Sequence, residues 1–363
     1  MKKYNCFNRH YLKKHLQELI QIKNELEKSS NPNLEKYELV LDNIENIEAF
    51  LKNGDVSTLY DELDNTSIEE KMKTNKEYFK LEQKSLPIIR RFNDTYSTAL
   101  QNLDLENYVR DSCTDTAYTH KRILHMVHDF YTSIPDKEIR QIFNKLYKNR
   151  INNVRFKNSE VSYCSSTGLD NRKYLSIDNS INFASISSIA HEYGHAIHDE
   201  YLGKFTSYDN DQYTELVSIF FQLLMNEFIC DTQPKNKERA IQDSIGMLIK
   251  MDIYSNNLEV LNLSKNKKFK DEEEAYNFYL KYLYEEEAET ALNMDAYLFN
   301  DYLIPYIIDI ELLWEYKNDP EKALYKLKHI ISNYEKDYLE ETQNLDLELN
   351  QHVYKYIKHL TKQ

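Results

Sequence analysis

The stretch Ser185-Ile-Ser-Ser-Ile-Ala-His191-Glu192-Tyr193-Gly194-His195-Ala-Ile-His198 decides how the rest of the chain is read. On a helix, residues four apart nearly complete a turn, so His191 and His195 are expected one above the other, where both can point an imidazole nitrogen at the same zinc ion. Glu192 sits one step round the helix, where its carboxylate can take a proton from a water at the metal's open position instead of ligating. The pattern predicts a hydrolytic site; the alternative for these residues alone is a pair of core histidines on an amphipathic helix. Gly194 argues against that alternative. It is one of five glycines in 363 residues, and a mid-helix glycine costs on the order of 1 kcal/mol relative to alanine. A close backbone approach, to the metal or to a crossing helix, would account for it. Asn182 or Ser185 is placed to cap the helix and Gly203 to end it, for a length of roughly 18 residues.

The composition suits a helical, globular protein. Hydrophobic residues make up 41%, while five glycines and six prolines leave few of the residues that tight turns and sheet corners need. A net charge of −14 argues against a nucleic-acid partner, because binding phosphates takes a positive field. The basic run Lys265-Asn-Lys-Lys-Phe-Lys270 is followed at once by Asp271-Glu-Glu-Glu274 and reads as a solvated loop and helix start. Cys6, Cys113, Cys164 and Cys230 form no CxxC pair, so a reducing compartment is expected. The N-terminus has charge but no apolar signal core, and no segment approaches the ~18 apolar residues of a membrane span. A cytoplasmic location without a membrane partner is the expectation. With thirty tyrosines in the chain, any one of them is singled out by position and not by presence.

Residues 7–29, 34–53, 66–84, 86–104, 105–133 and 136–150 carry apolar positions at helical spacing. Pro87 and Pro135 lie near helix starts, where a missing N–H costs least. His120, His125 and His128 read as surface or core histidines: 120 and 125 are out of helical register, and no acid is expected at ligand spacing. Between Arg150 and Asn182 the texture changes. Ile151–Phe156, Val161–Cys164 and Lys173–Asp178 are β-branched or aromatic runs separated by polar turn residues, which predicts a small sheet before the histidine helix. The strand around Tyr174–Asp178 is either an edge that pairs with an extended substrate or an edge merely covered by helix. Residues 1–85 are expected to form an N-terminal helical region and 86–363 the catalytic region.

Tetrahedral zinc with an open vertex needs a third protein ligand. Asp209-Asn-Asp-Gln-Tyr-Thr-Glu215-Leu-Val-Ser218 opens a further helix. Glu215 fits a return helix that crosses the first. Glu227 and Asp199 compete, the latter handicapped because three ligands in one vertical row converge poorly. Glu215 as a mere helix-start acid is the bland alternative.

These residues resemble the oligoendopeptidase F and thimet-type oligopeptidase family of zinc peptidases. His191-Glu-Tyr-Gly-His195-Ala-Ile-His198 is similar to that family's HExGHxxH, and Glu215-Leu-Val-Ser218 to its ExxS segment. Asn300-Asp-Tyr302-Leu-Ile-Pro-Tyr306 resembles the stretch in which two tyrosines face the zinc. The resemblance covers roughly residues 85–360. It implies one Zn2+ ion on His191, His195 and Glu215, Glu192 as general base, Tyr302 and Tyr306 as donors to the developing oxyanion, and a structural role for His198. Packing in a tyrosine-rich chain is the alternative for the two tyrosines. Three departures stand out. Ala296 replaces a substrate-binding histidine, Asp309 a glycine of a mobile loop, and Gln222 a frequent glutamate behind the ligands. The chain is also much shorter than typical members, which implies that much of the N-terminal roof over the substrate channel is missing.

The expected protein is therefore mainly α, a zincin-like helical metallopeptidase with a small β-sheet, acting on short peptides, with an oligomeric state the sequence leaves open. The rival readings are a non-catalytic peptide-binding scaffold with a structural metal, and a metallocarboxypeptidase. A dedicated precursor peptide is a further possibility for the substrate.

Overall fold

The computed structural model describes residues 9–28, 34–53, 67–100, 118–150, 154–157, 162–167, 172–178, 184–202, 212–333 and 336–362. In chain order its main elements are α1 (Arg9–Glu27), α2 (Leu34–Asn53), α3 (Ile68–Leu81), α4 (Ser85–Leu100), α5 (His120–Ser133), α6 (Lys137–Lys148), β1 (Val154–Lys157), β2 (Tyr163–Thr167), β3 (Arg172–Asp178), α7 (Ala184–Leu202), α8 (Gln212–Thr232), α9 (Lys237–Ser264), α10 (Glu272–Tyr279), α11 (Glu285–Asn293), α12 (Ala296–Tyr316), α13 (Pro320–Ser332), α14 (Tyr338–Asn344) and α15 (Val353–Lys362). The protein is mainly α with one small sheet, as the composition predicts. No helix among the described residues is long and apolar enough to cross a membrane.

The chain divides into two compact units, Met1–Asn65 with Thr119–Ile181 and His195–Ser207, and Thr66–Tyr118 with Asn182–Gly194 and Tyr208–Gln363. In the first unit α1 and α2 pack on one another and bury Leu19, Val40 and Ile47. α5 starts later than its apolar spacing suggested. Thr119 accepts a hydrogen bond from the Arg122 N–H at 3.2 Å and caps the helix there, a bond worth about 1 kcal/mol. Residues 105–117 of the expected 105–133 helix lie outside the described part. α6 is capped by Asp136, which accepts from the Ile139 N–H at 2.9 Å, so Pro135 precedes the cap.

The sheet order is β1-β3-β2. β1 runs parallel to β3, with Val154 opposite Leu175 and Phe156 opposite Ile177. β2 runs antiparallel to it, with Tyr163 opposite Ser176 and Thr167 opposite Arg172. The expectation that Tyr174–Asp178 is an edge strand is therefore wrong. β3 is the central strand, both of its hydrogen-bonding sides are taken, and an extended peptide has no place to add to it. Leu175, Ser176 and Ile177 are all buried.

The second unit is organised around α12. Phe299, Leu303, Ile304, Tyr306, Ile307 and Ile310 are wholly buried; apolar residues run right round this helix instead of along one stripe, which marks a helix enclosed by others. It packs against α8, α9 and α13. Asp295 caps it by accepting from the Leu298 N–H at 3.2 Å, and the helix continues through Pro305. The Lys71 ammonium donates to the carbonyls of Ala291 and Leu292 and so closes the end of α11. Burial lowers the pKa of this lysine to about 7.

Candidate active site

α7 carries the histidines. It spans 19 residues and begins at Ala184, so Ser185 lies inside it and is not its cap; Asn182 and Gly203 lie outside the described residues. The mid-helix glycine has its reason in a crossing helix. A Cβ on Gly194 would stand 2.6 Å from the Cα of Ser218 and 3.1 Å from the Ser218 nitrogen and the Val217 oxygen. Only a residue without a side chain lets α7 and α8 approach this closely. Ser218 lies one turn after Glu215, so the same crossing delivers Glu215 to the histidines.

His191, His195 and Glu215 each offer one ligand atom, and the three atoms lie within 4.8 Å of one another. His191 and His195 are one turn apart on one continuous helix. The His191 Nε2 is 3.4 Å from a Glu215 carboxylate oxygen, with the two side chains only 16% and 14% exposed. On the other side of the ring, the His191 Nδ1 is 2.9 Å from the Gln222 Oε1. An amide oxygen only accepts, so the proton sits on Nδ1, and Nε2 is the nitrogen turned towards Glu215. The Ser218 hydroxyl donates to the Glu215 carboxylate at 3.2 Å and to its backbone oxygen at 2.9 Å, fixing that carboxylate's rotamer. Burial alone lowers the pKa of His191, but the hydrogen bond and charge of Glu215, joined by the charge of Glu192, raise it overall. Two imidazoles and a carboxylate are a donor set that suits zinc with one vertex left open.

Glu192 is 4% exposed, and its charge is felt by both His191 and Tyr302. The two tyrosines part company. The Tyr302 hydroxyl hydrogen-bonds the Glu215 carboxylate, and the negative charge of Glu215, together with burial, raises its pKa. Its ring meets Tyr254 edge-on at 5.9 Å. Tyr306 is wholly buried, its ring 6.5 Å from Phe92. Burial raises its pKa, with Tyr356, Tyr96 and Asp309 as the neighbouring groups. His191, His195 and Glu215 come together, with Glu192 and Tyr302 within reach of their charge, while the Tyr306 hydroxyl has Tyr356 as its hydrogen-bonding neighbour.

No family model and no curated protein matches the chain. Solved structures do. One assigned as oligoendopeptidase F is 11% identical, with 90% of this chain covering 65% of that one at a TM-score of 0.52. A Chlamydophila abortus protein assigned as a peptidase is 13% identical, with 96% of this chain covering 63% of that one at a TM-score of 0.51. PZ peptidase A, solved with an inhibitor, is 12% identical, with 91% of this chain covering 66% of that one at a TM-score of 0.50. The fold is that of the oligoendopeptidase F peptidases. The chain spans 63–66% of the length of these three.

Within this oligoendopeptidase fold the three departures take physical form. Gln222 backs His191, through its amide oxygen. Ala296 is wholly buried and its N–H donates to the Asn75 side chain at 2.8 Å, so the position is part of a helix start. Asp309 lies inside α12, not in a loop. It is fully buried, and burial followed by the charge of Glu215 raises its pKa well above its ordinary value. The competing third ligands are placed elsewhere. Glu227 pairs with Lys317 at 2.9 Å and with His359 at 3.3 Å, and Asp199 is outside the cluster.

Two further features escaped the sequence. Ser187, one turn before His191 on α7, hydrogen-bonds Asp243 of α9, which also accepts from the Asn226 amide at 2.8 Å. This buried tie joins α7, α8 and α9. The second lies on α5: Asp129 stands four residues after His125, and its carboxylate is 3.7 Å from the His125 and His128 rings alike. The expectation that no acid sits at ligand spacing to these histidines is overturned. His120 is a packing residue, stacked on Phe156 at 3.9 Å.

Proposed function

We propose that this chain is a zinc-dependent endopeptidase that hydrolyses peptide bonds in short peptides. The observation that carries the reading is the convergence of His191, His195 and Glu215, with the buried Glu192 one step away. His191, His195 and Glu215 would hold the ion, which when bound polarises a carbonyl and brings the pKa of water to about 7. Glu192 accepts a proton from the attacking water and returns it to the leaving amine. Gln222 and Ser218 keep His191 and Glu215 in their orientations, and in this reading the Tyr302 phenol donates to the carbonyl oxygen as charge develops there. Peptide substrates are supported by the oligoendopeptidase fold, and their small size by the name that fold carries.

The test is the Glu192→Gln protein, compared with wild type on a mixed peptide library by mass spectrometry, with the metal content of both measured. Zinc retained and cleavage abolished in the variant is the expected result. A zinc-loaded wild type that cleaves nothing would leave a peptide-binding scaffold as the better reading. Products that lose only their C-terminal residue would make it a carboxypeptidase.

A further inference from the structure

Outside the candidate active site, one other group of described residues offers metal-type donors. His125, His128 and Asp129 lie on α5, and one ligand atom from each falls within 4.8 Å of the other two. The spacing i, i+3, i+4 puts all three on one face of the helix, opposite the buried Ile123, Val127 and Phe130. Asp129 sits between the imidazoles, one oxygen 3.7 Å from His125 Nε2 and the other 3.7 Å from His128 Nδ1. Both separations exceed the roughly 2.7–3.2 Å of a hydrogen bond, so the donors do not consume one another's lone pairs. They are close to what a metal asks for: two ligands at about 2.0–2.1 Å from a tetrahedral zinc are roughly 3.4 Å apart. With all three ligand atoms within 4.8 Å of one another, side-chain rotation on one helix face draws them together round an ion.

The set is also partly organised in advance. The His128 ring rests against Tyr147 at 4.7 Å and Phe143 at 6.1 Å, which restricts its rotation. The His125 ring lies almost parallel to it, 6.4 Å away. His125 and Asp129 are 73% and 52% exposed at the side chain, so an ion enters from solvent and completes its shell with water.

We propose that His125, His128 and Asp129 form a second divalent-cation site, separate from the triad. Two imidazoles and one carboxylate select the borderline ions, Zn2+ foremost with Ni2+ and Cu2+ as competitors, over Mg2+ and Ca2+, which prefer all-oxygen shells. Because the ligands lie on successive turns of one helix, binding stabilises folded α5.

The experiment equilibrates the full-length chain with buffered Zn2+ and counts bound metal, for wild type, for His125→Ala/His128→Ala and for His191→Ala/His195→Ala. The α5 variant is expected to bind one equivalent fewer than wild type while keeping its peptidase activity. The triad variant should retain the α5 equivalent. Uptake by the α5 variant equal to wild type overturns the site. If the triad holds no zinc, wild type still binds one equivalent that the α5 variant loses, so the failure of the two proposals is told apart. Should the triad variant not fold, the comparison of wild type with the α5 variant decides alone. Cu2+ provides an independent readout: nitrogen hyperfine structure in its electron paramagnetic resonance spectrum, attributable to α5, should vanish in that variant.

Discussion

The Cα of Ser218 occupies the space that a side chain at Gly194 would need, only 2.6 Å from where its Cβ would stand. Main chain therefore meets main chain at this crossing, and the approach of Glu215 to His191 is set by two backbones before any rotamer is chosen. Gly194→Ala should gain roughly 1 kcal/mol of helix propensity and lose more than that, about 1–3 kcal/mol, to overpacking. Thermal unfolding and zinc analysis of the variant check this. A protein as stable and as metal-replete as wild type would mean that the helices cross less tightly.

Gln222 holds the His191 ring by its Nδ1. Removing a group that orients a metal ligand typically weakens binding by about 10–100-fold, so Gln222→Ala should release zinc to a chelator at correspondingly lower concentration. Competition with a chromophoric chelator gives the number directly. Unaltered zinc affinity would show the hydrogen bond to be incidental.

Tyr302 and Tyr306 make opposite predictions. Loss of an oxyanion donor lowers turnover by roughly 10²–10³-fold, and Tyr302→Phe should do so with little change in KM. Tyr306→Phe, whose hydroxyl is engaged with Tyr356, should leave kcat close to wild type. Steady-state kinetics on one peptide separates them, and a larger loss in Tyr306→Phe would put that residue at the reacting carbonyl.

Asp252 supplies a pH dependence. Burial, aided by the charge of Glu287, raises its pKa to about 6 in the folded protein, from an ordinary 3.8. Between these values the folded state holds a proton that the unfolded state has lost, so stability falls as pH rises through this window and is flat above it. Asp252→Asn should remove that slope and be more stable at pH 7, by up to roughly 3 kcal/mol. Denaturant melts at several pH values test it; parallel profiles for the two proteins would contradict the assignment.

Much of the site was legible because helical periodicity is local. His191 and His195 at i, i+4 needed no tertiary knowledge, and the rarity of glycine made Gly194 a signal of a crossing, which in turn favoured Glu215. What depends on partners distant in sequence was not legible. The sequence marks three strands but not their order, and β3, which reads as an edge, lies in the middle. Four-residue spacing suggested that Tyr302 and Tyr306 share a face, yet the i+4 step drifts about 40° round a helix, enough on enclosed α12 for one to meet Glu215 and the other Tyr356. The Ser187–Asp243 tie spans helices far apart in sequence. The Asp129 position, by contrast, is legible at i+4 from His125, although His120 and His125 are themselves out of helical register.

The amide behind His191 has a consequence for how the proposed ion would behave. A carboxylate at position 222 would push electron density through the ring and make the imidazole a stronger donor, whereas an uncharged amide pushes little. A cation seated here would keep more of its own electron hunger, acidifying water more sharply while being gripped less firmly. Gln222→Glu would then move in the contrary direction on both counts, trading reactivity for retention.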